Sequence, residues 1–188
     1  MGQLNFSRRR VVQYKRSETM KKLLVVVDYQ TEFVIGVYGF ERAQQLEQHI
    51  CQKIDDYQRA GQTVAFTFDD YYKDEDYTLS PTRLLKGQRG FELFGKVKQL
   101  FRPEIHPHFH KETYGSFSLG EYAQNQQFDA IELVGISTPM CVLANAIVLQ
   151  AALPQCKITL DPEGIASPDT ALERQALTLL DRLNIRCS

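Results

Sequence analysis

The sequence predicts an α/β fold in which helices cover both faces of a mainly parallel central sheet. Short, continuous apolar runs such as residues 23–27 are typical of strands that are buried on both faces. Segments whose apolar residues recur with helical spacing separate these runs along the chain. Strands joined through helices make right-handed crossovers and therefore pair in parallel. We expect one folded domain over residues 20–188.

The predicted elements alternate along the chain. The first strand, residues 23–27, precedes a helix over about residues 41–60, in which Leu46, Ile50 and Ile54 share one face. The other predicted strands are residues 63–68, 104–110, 131–134, 157–160 and 184–187. The other predicted helices are residues 119–125, 141–153 and 172–183.

Residues 1–19 differ in composition from the rest of the chain. They are polar and basic, with Arg8, Arg9 and Arg10 in a row, and they lack a helical or strand period. The apolar run that follows ends at Asp28 and is too short for a secretory signal. We expect a disordered tail, or an extension upstream of a start at Met20, and assign it no function.

Composition excludes several classes of partner. The formal net charge is −1, so the overall charge does not favour a polyanionic partner. No apolar stretch of the sequence is long enough to cross a bilayer. We therefore expect no nucleic-acid or membrane partner. The four cysteines show no CxxC pairing, which fits free thiols in a reducing compartment. The prediction is a soluble, cytoplasmic protein with cysteines at Cys51, Cys141, Cys156 and Cys187.

Polar side chains follow three predicted strands at the point where each strand ends. Asp28 follows the first strand, Lys111 follows residues 104–110, and Cys141 follows the strand at 131–134 after a short turn. Ligands of open α/β sheets bind beyond the carboxyl ends of the strands, so these side chains can converge. A carboxylate can accept a thiol proton, a lysine can hold the charge, and a thiolate can attack a carbonyl carbon.

Cys141 is predicted to lie in the first turn of a helix. The free N–H groups and the positive end of the helix dipole favour a thiolate there, so we expect a lowered pKa and a thiol that alkylates readily. The same N–H groups can hold an oxyanion. The alternative for each of these three residues is ordinary structure: a turn cap, a surface charge and a packed thiol.

Three segments resemble the signature motifs of isochorismatase-like cysteine hydrolases, the family of nicotinamidases, N-carbamoylsarcosine amidase and isochorismatase. They are DYQTEF at 28–33, KETYGSF at 111–117 and GISTPMCV at 135–142. The resemblance runs from about Lys21 to the C-terminus, in matching order and spacing. It implies a three-layer, Rossmann-like α/β sandwich.

The resemblance also implies a catalytic triad of Asp28, Lys111 and Cys141. Its oxyanion hole would consist of the backbone N–H groups of Ser137 and Cys141, with a cis peptide bond before Ser137. The implied reaction cleaves the C–N bond of a small amide through a thioester. A homo-oligomer is implied as well.

The implied substrate pocket has Phe33 in its wall, with Tyr114 and Phe117 as further wall candidates. The substrate class stays open between alternatives. A nicotinamidase-like amide is the first prediction, and a metal-free relative that acts on an isochorismate-like or ureido substrate is the alternative. A non-catalytic binding member of the fold is a further one.

The sequence departs from the nicotinamidase pattern where those enzymes bind a divalent metal. Their Asp-x-His is matched here by Asp69 and Tyr71, and a phenol is a poor ligand at neutral pH. We therefore predict no metal and no other cofactor. His106, His108 and His110 offer a different metal hypothesis, but three imidazoles along one straight strand diverge, so a strand edge is the prediction.

Overall fold

The computed structural model describes residues 20–70, 84 and 86–188, and strands alternate with helices along them. The strands are β1 (Lys22–Val27), β2 (Thr63–Asp69), β3 (His108–Lys111), β4 (Ala130–Ile136), β5 (Lys157–Ala166) and β6 (Arg186–Cys187). The helices are α1 (Thr31–Val34), α2 (Glu41–Gln45), α3 (Glu47–Arg59), α4 (Gly95–Leu100), α5 (Phe117–Gln126), α6 (Leu143–Ala152) and α7 (Thr170–Arg182). A 3₁₀ turn (Arg89–Phe91) and a π-helical turn (Thr138–Val142) complete them.

All strand pairs of the sheet are parallel, and the strand order is β3-β2-β1-β4-β5-β6. This confirms the predicted α/β class. The order reverses between β1 and β4, which are direct neighbours, and such a switch point is where open α/β sheets bind ligands. The carboxyl ends of β1, β2, β3 and β4 therefore meet at one edge of the sheet.

Strand β1 shows why the sheet lies between two helical layers. Successive side chains of a strand point to opposite faces, and every residue from Leu23 to Val27 is fully buried. Leu23, Val25 and Val27 pack with apolar residues of α5, α6 and α7, whereas Leu24 and Val26 pack with those of α1 to α4. An unbroken apolar run is therefore the pattern that this strand requires.

The predicted helix at 41–60 is interrupted, which corrects the prediction. The structure has α2 and α3 with a tighter turn between them, where the N–H of Leu46 donates to the carbonyl of Ala43. The phenol of Tyr29 donates to that same carbonyl oxygen at 2.6 Å. The buried Tyr29 therefore competes for the acceptor that a continuous helix would use, a long-range contact that helical spacing does not reveal.

The predicted strand at 104–110 is shorter than expected. Pairing begins only at His108, because the carbonyl of Arg102 accepts from the N–H groups of both Ile105 and His106 and closes a turn there. Pro107 follows without an N–H group to donate. No helix of the described residues is long and apolar enough to cross a membrane. The expectations for residues 1–19 lie outside the described residues.

Candidate active site

Asp28 is the first residue beyond β1, and its carboxylate is completely buried. Its backbone adopts a left-handed conformation with φ of 46°, which Asp tolerates better than most residues. Its N–H donates to the carbonyl of Thr67 at 3.3 Å, and the Thr67 hydroxyl donates to Asp28 Oδ1 at 2.6 Å. These contacts with β2 fix the direction of the carboxylate.

Lys111 ends the edge strand β3, yet its side chain reaches across the end of β2. Its Nζ atom lies 2.7 Å from Asp28 Oδ2, 3.5 Å from Asp69 Oδ1 and 3.4 Å from Cys141 Sγ, to which it donates. Its side chain is 2% exposed. The structure thus brings together the three residues predicted from separate strand ends, and it adds Asp69 to them.

The charged groups of this cluster shift one another's pKa values. Burial alone would lower the pKa of Lys111, but Asp28, Cys141 and Asp69 together raise that pKa above its ordinary value. The lysine therefore keeps its charge. Burial also raises the pKa of Asp69 to about 7, with Lys111 acting in the opposite direction and Asp28 adding to the rise.

The predicted low pKa of Cys141 is wrong for the resting site. Burial raises the pKa of this thiol well above its ordinary value, and Asp28 raises it further, while Lys111 lowers it. The residue is 6% exposed and lies in the π-helical turn Thr138–Val142. A helix N-terminus favours a thiolate only when burial and neighbouring carboxylates do not outweigh it. These surroundings therefore favour the thiol form of Cys141 over the thiolate.

The carboxylate of Asp28 is close to this thiol. Its Oδ2 atom is buried and lies 2.7 Å from Lys111 Nζ. The nearest ligand-type atoms of Asp28, Asp69 and Cys141 all lie within 4.8 Å of one another. The carboxylate of Asp28 thus lies beside the thiol of Cys141.

Ser137 follows a cis peptide bond from Ile136, as the resemblance implies. Its carbonyl accepts from the N–H groups of Met140 and Val142, which closes the turn that carries Cys141. Gly135 precedes this pair with φ of +116°, and a Cβ atom there would lie 2.1 Å from the carbonyl oxygen of Val27. Only glycine lets β4 approach β1 this closely beside Asp28.

Asn145, on α6, joins the loops that follow β3 and β4, and sequence reasoning missed it. Its Nδ2 group donates to the carbonyls of Cys141 at 2.8 Å and Tyr114 at 3.2 Å. Its Oδ1 atom accepts from the N–H of Ser116 at 2.9 Å. A completely buried amide must be paired in this way. The available signal was a single Asn within the otherwise apolar run at residues 142–149.

A pocket of about 260 Å³ opens at Cys141. Phe33 and Tyr114 are part of its wall, as expected. Phe117 is not, because it begins α5 with its side chain 77% exposed, in a different surface depression. The prediction of Phe117 in the wall is therefore corrected. The other lining residues are Tyr38, Phe40, Asp69, Ile136, Ser137, Met140 and Pro168.

The comparisons with known proteins agree with this geometry. A family model described as the isochorismatase domain matches residues 22–186. The chain belongs to the isochorismatase family. The uncharacterized isochorismatase family protein PncA of Bacillus subtilis (strain 168) is 26% identical over 142 residues, which are 68% of this chain and 78% of that protein.

Solved structures of isochorismatase-family members share the fold. The nicotinamidase PncA from Bacillus subtilis matches with a TM-score of 0.80 and 23% identity, over 90% of this chain and 99% of that one. The nicotinamidase SaPncA from Staphylococcus aureus matches with a TM-score of 0.72 and 25% identity, over 89% of this chain and 96% of that one. N-carbamoylsarcosine amidase from Thermoplasma acidophilum matches with a TM-score of 0.73 and 20% identity, over 89% of this chain and 96% of that one.

The three histidines near β3 do not converge on one point, and His108 and His110 contact each other edge to face with ring centroids 6.0 Å apart. His106 accepts from the N–H of Arg102 at 3.0 Å, and its other nitrogen lies 2.8 Å from Gln58. His110 stacks on Phe91. Among the residues that the structure describes, no set of closely spaced ligand atoms includes a histidine.

The donors that the structure describes at this site do not suit a divalent metal ion. The described group of candidate ligands is Asp28, Asp69 and Cys141. The ammonium group of Lys111 already lies between them, within 2.7 to 3.5 Å of each side chain. A second cation there would meet its charge in a medium of low dielectric constant. Tyr71, at the position of the family's histidine, lies outside the described residues.

Proposed function

We propose that this chain is a cysteine hydrolase that cleaves the C–N bond of a small amide through a thioester intermediate. The observation that carries the proposal is the contact of one buried ammonium group, that of Lys111, with both Asp28 and Cys141, a residue that lines a pocket. Folding alone does not require an acid, a base and a thiol at three separate strand ends. Membership of the isochorismatase family supports the same reaction class.

The first half of the proposed reaction forms the thioester. Asp28 Oδ2 accepts the proton of the Cys141 thiol, and Sγ attacks the amide carbonyl carbon. The carbonyl oxygen becomes an oxyanion, which the backbone N–H groups of Ser137 and Cys141 stabilise. Asp28 then returns the proton to the leaving nitrogen as the C–N bond breaks, and a primary amide releases ammonia.

The second half hydrolyses the thioester. Asp28 accepts a proton from water, and the hydroxide oxygen attacks the acyl carbon. The C–S bond breaks, the carboxylic acid leaves, and the proton returns to Cys141. Lys111 stays charged throughout, because its surroundings raise its pKa, and it stabilises the thiolate and Asp28 in turn.

The proposed mechanism uses no metal. Lys111 supplies a fixed positive charge in the cluster, where the donor atoms do not suit a second cation. Substrate selection then falls to the pocket wall. Phe33 and Tyr38 pack against each other with ring centroids 6.0 Å apart, and Phe40 and Tyr114 add further aromatic surface. A flat, compact acyl group fits such a wall, which supports a nicotinamide-like carboxamide.

Ammonia release from a panel of small amides tests the proposal. The panel includes nicotinamide, pyrazinamide and an N-carbamoyl amino acid, assayed in buffer with EDTA. We expect turnover by the native protein and none by Cys141→Ala, because the variant has no nucleophile. Cys156→Ala is the matched control, since this half-buried thiol lies outside the pocket, and it should keep native turnover.

The outcomes separate the candidate functions. Release from the carbamoyl compound alone would favour the ureido-type relative over the nicotinamidase-like enzyme. Turnover that survives in Cys141→Ala would contradict the cysteine mechanism. If no amide is hydrolysed, the amidase proposal fails, and an isochorismate-like substrate or a non-catalytic binding protein takes its place.

A further inference from the structure

Glu173 is a buried carboxylate outside the catalytic cluster that contacts the turn carrying Cys141. It lies in the first turn of α7 and is 6% exposed. Its Oε1 atom accepts from the hydroxyl of Thr138 at 2.9 Å, and its Oε2 atom accepts from Arg42 Nη1 at 2.6 Å. We call these three side chains, Arg42, Thr138 and Glu173, the turn clamp.

Thr138 connects the turn clamp to the turn that carries Cys141. It is completely buried and lies directly between Ser137 and the rest of the π-helical turn that ends beyond Cys141. A hydrogen bond to a carboxylate is stronger than one between neutral groups. The bond from Thr138 to Glu173 therefore fixes the turn whose two proposed oxyanion donors are the N–H groups of Ser137 and Cys141.

Arg42 extends the turn clamp to the pocket wall. It belongs to α2, which begins directly after Phe40, a residue of the wall. Pro168, also in the wall, lies just before α7. The single carboxylate of Glu173 thus joins the nucleophile turn to two other sides of the pocket.

The stability of α7 does not by itself explain a buried acid at this position. Asp169 already caps the helix, since its Oδ1 atom accepts from the N–H groups of Ala171 and Leu172 at 2.9 Å. An exposed acid would complement the helix dipole equally well. Burying Glu173 costs desolvation that its two partners must offset. Both of those partners belong to segments that border the pocket.

We infer that Glu173 is a positioning residue, which holds the Ser137–Cys141 turn in the geometry that stabilises the oxyanion. This inference rests on the proposed function. Because the turn clamp touches no reacting atom, its loss should reduce transition-state stabilisation more than substrate binding. The expected signature is a lower kcat with a nearly unchanged KM.

Substitution of Thr138 tests the turn clamp through turnover. Thr138→Val removes the hydroxyl at nearly constant volume, and we expect kcat to fall by about tenfold with KM within about threefold. Thr138→Ser keeps the hydroxyl and should stay within about threefold of the native kcat. Thr178→Val, which removes an exposed hydroxyl of α7, is the matched control and should change neither constant.

A double substitution separates positioning from general damage. In Thr138→Val with Glu173→Gln, the second change should add little to the loss in kcat, because both remove the same interaction. Rates are expressed per Cys141 that iodoacetamide can label, so misfolded protein does not count. Losses that multiply, or a Thr138→Val variant with native kcat per labelled site, would overturn the inference.

Aldehyde binding provides a test that needs no turnover. Pyridine-3-carbaldehyde can add to the Cys141 thiol: Asp28 accepts the S–H proton, the S–C bond forms as the C=O π bond breaks, and the former carbonyl oxygen occupies the oxyanion position. We expect Thr138→Val to lower the affinity for this aldehyde about tenfold. Nicotinic acid, which forms no adduct, should bind to the variant as tightly as to the native protein. Equal weakening of both ligands would overturn the positioning role.

The two proposals can fail separately. The aldehyde result can support the turn clamp even if no amide of the panel is hydrolysed. In that case Cys141→Ala should abolish aldehyde binding and Thr138→Val should weaken it. If neither amides nor the aldehyde react at Cys141, the proposed function fails and the turn clamp fails with it. If Thr138→Val binds the aldehyde as tightly as the native protein does and hydrolyses amides at the native rate, the turn clamp is refuted and the proposed function stands.

Discussion

Replacing Asp28 with Asn should lower kcat for amide hydrolysis by about 10³-fold, because the proposed mechanism loses its base and its proton donor together. The same change should speed the alkylation of Cys141 by iodoacetamide near neutral pH. Asp28 raises the pKa of the Cys141 thiol, and Lys111 lowers it. Without the carboxylate, the ammonium group is left to stabilise the thiolate. Stopped hydrolysis with faster alkylation is the expected result.

The substitution of Asp28 should also shift the pH dependence of Cys141 alkylation in a defined direction. In the native protein the thiol pKa is raised, so alkylation should increase only at pH values above the ordinary cysteine range. In Asp28→Asn the increase should move to lower pH. Asp56→Asn, a half-exposed carboxylate on α3, is the matched control and should leave both properties unchanged. Slower alkylation in Asp28→Asn, with its fold intact, would contradict the assigned electrostatics.

Replacing Lys111 with Met should destabilise the protein by about 3–5 kcal/mol and abolish hydrolysis, because it leaves Asp28 and Asp69 buried without their cation. The loss should be larger at high pH. A carboxyl whose pKa is raised in the folded state favours folding when protonated, so its contribution is lost as pH rises through that pKa. In the native protein burial raises the pKa of Asp69 to about 7 and Lys111 opposes that rise, so without Lys111 the loss of stability should grow from about pH 7 upward.

Denaturant unfolding at pH 6 and pH 8 measures this effect. Lys98→Met is the matched control, since Lys98 pairs with Glu92 at 2.7 Å on the surface and should contribute under about 1 kcal/mol. Adding Asp69→Asn to Lys111→Met should restore part of the lost stability, because one unpaired carboxylate is gone. Equal destabilisation by the two lysine substitutions would contradict the buried cluster.

The fold could be predicted from the sequence wherever one local pattern decided the structure. Continuous apolar runs identified β1, β2 and β4, and polar residues after them identified the site edge. The helix at 41–60 was predicted as one element because its interruption depends on the Tyr29 hydroxyl, which approaches Ala43 from a distant loop. Long-range contacts of this kind leave no periodic signal.

The candidate site was predictable as a set of residues but not as an electrostatic system. The order of strand ends brought Asp28, Lys111 and Cys141 together, whereas the thiol pKa depended on burial and on two carboxylates at once. Asp69 was considered only as a metal ligand, although it pairs in register with Lys111. Phe117 was a wall candidate from the family resemblance, but it begins α5 and is 77% exposed.

Partitioning of the acyl group between water and hydroxylamine tests the thioester mechanism most directly. The best amide of the panel and its methyl ester are each turned over in the presence of hydroxylamine, and hydroxamate and acid are measured. A shared acyl-Cys141 intermediate predicts the same ratio of hydroxamate to acid from both substrates. Ratios that differ between amide and ester, or hydrolysis that forms no hydroxamate, would contradict the intermediate and with it the proposed function.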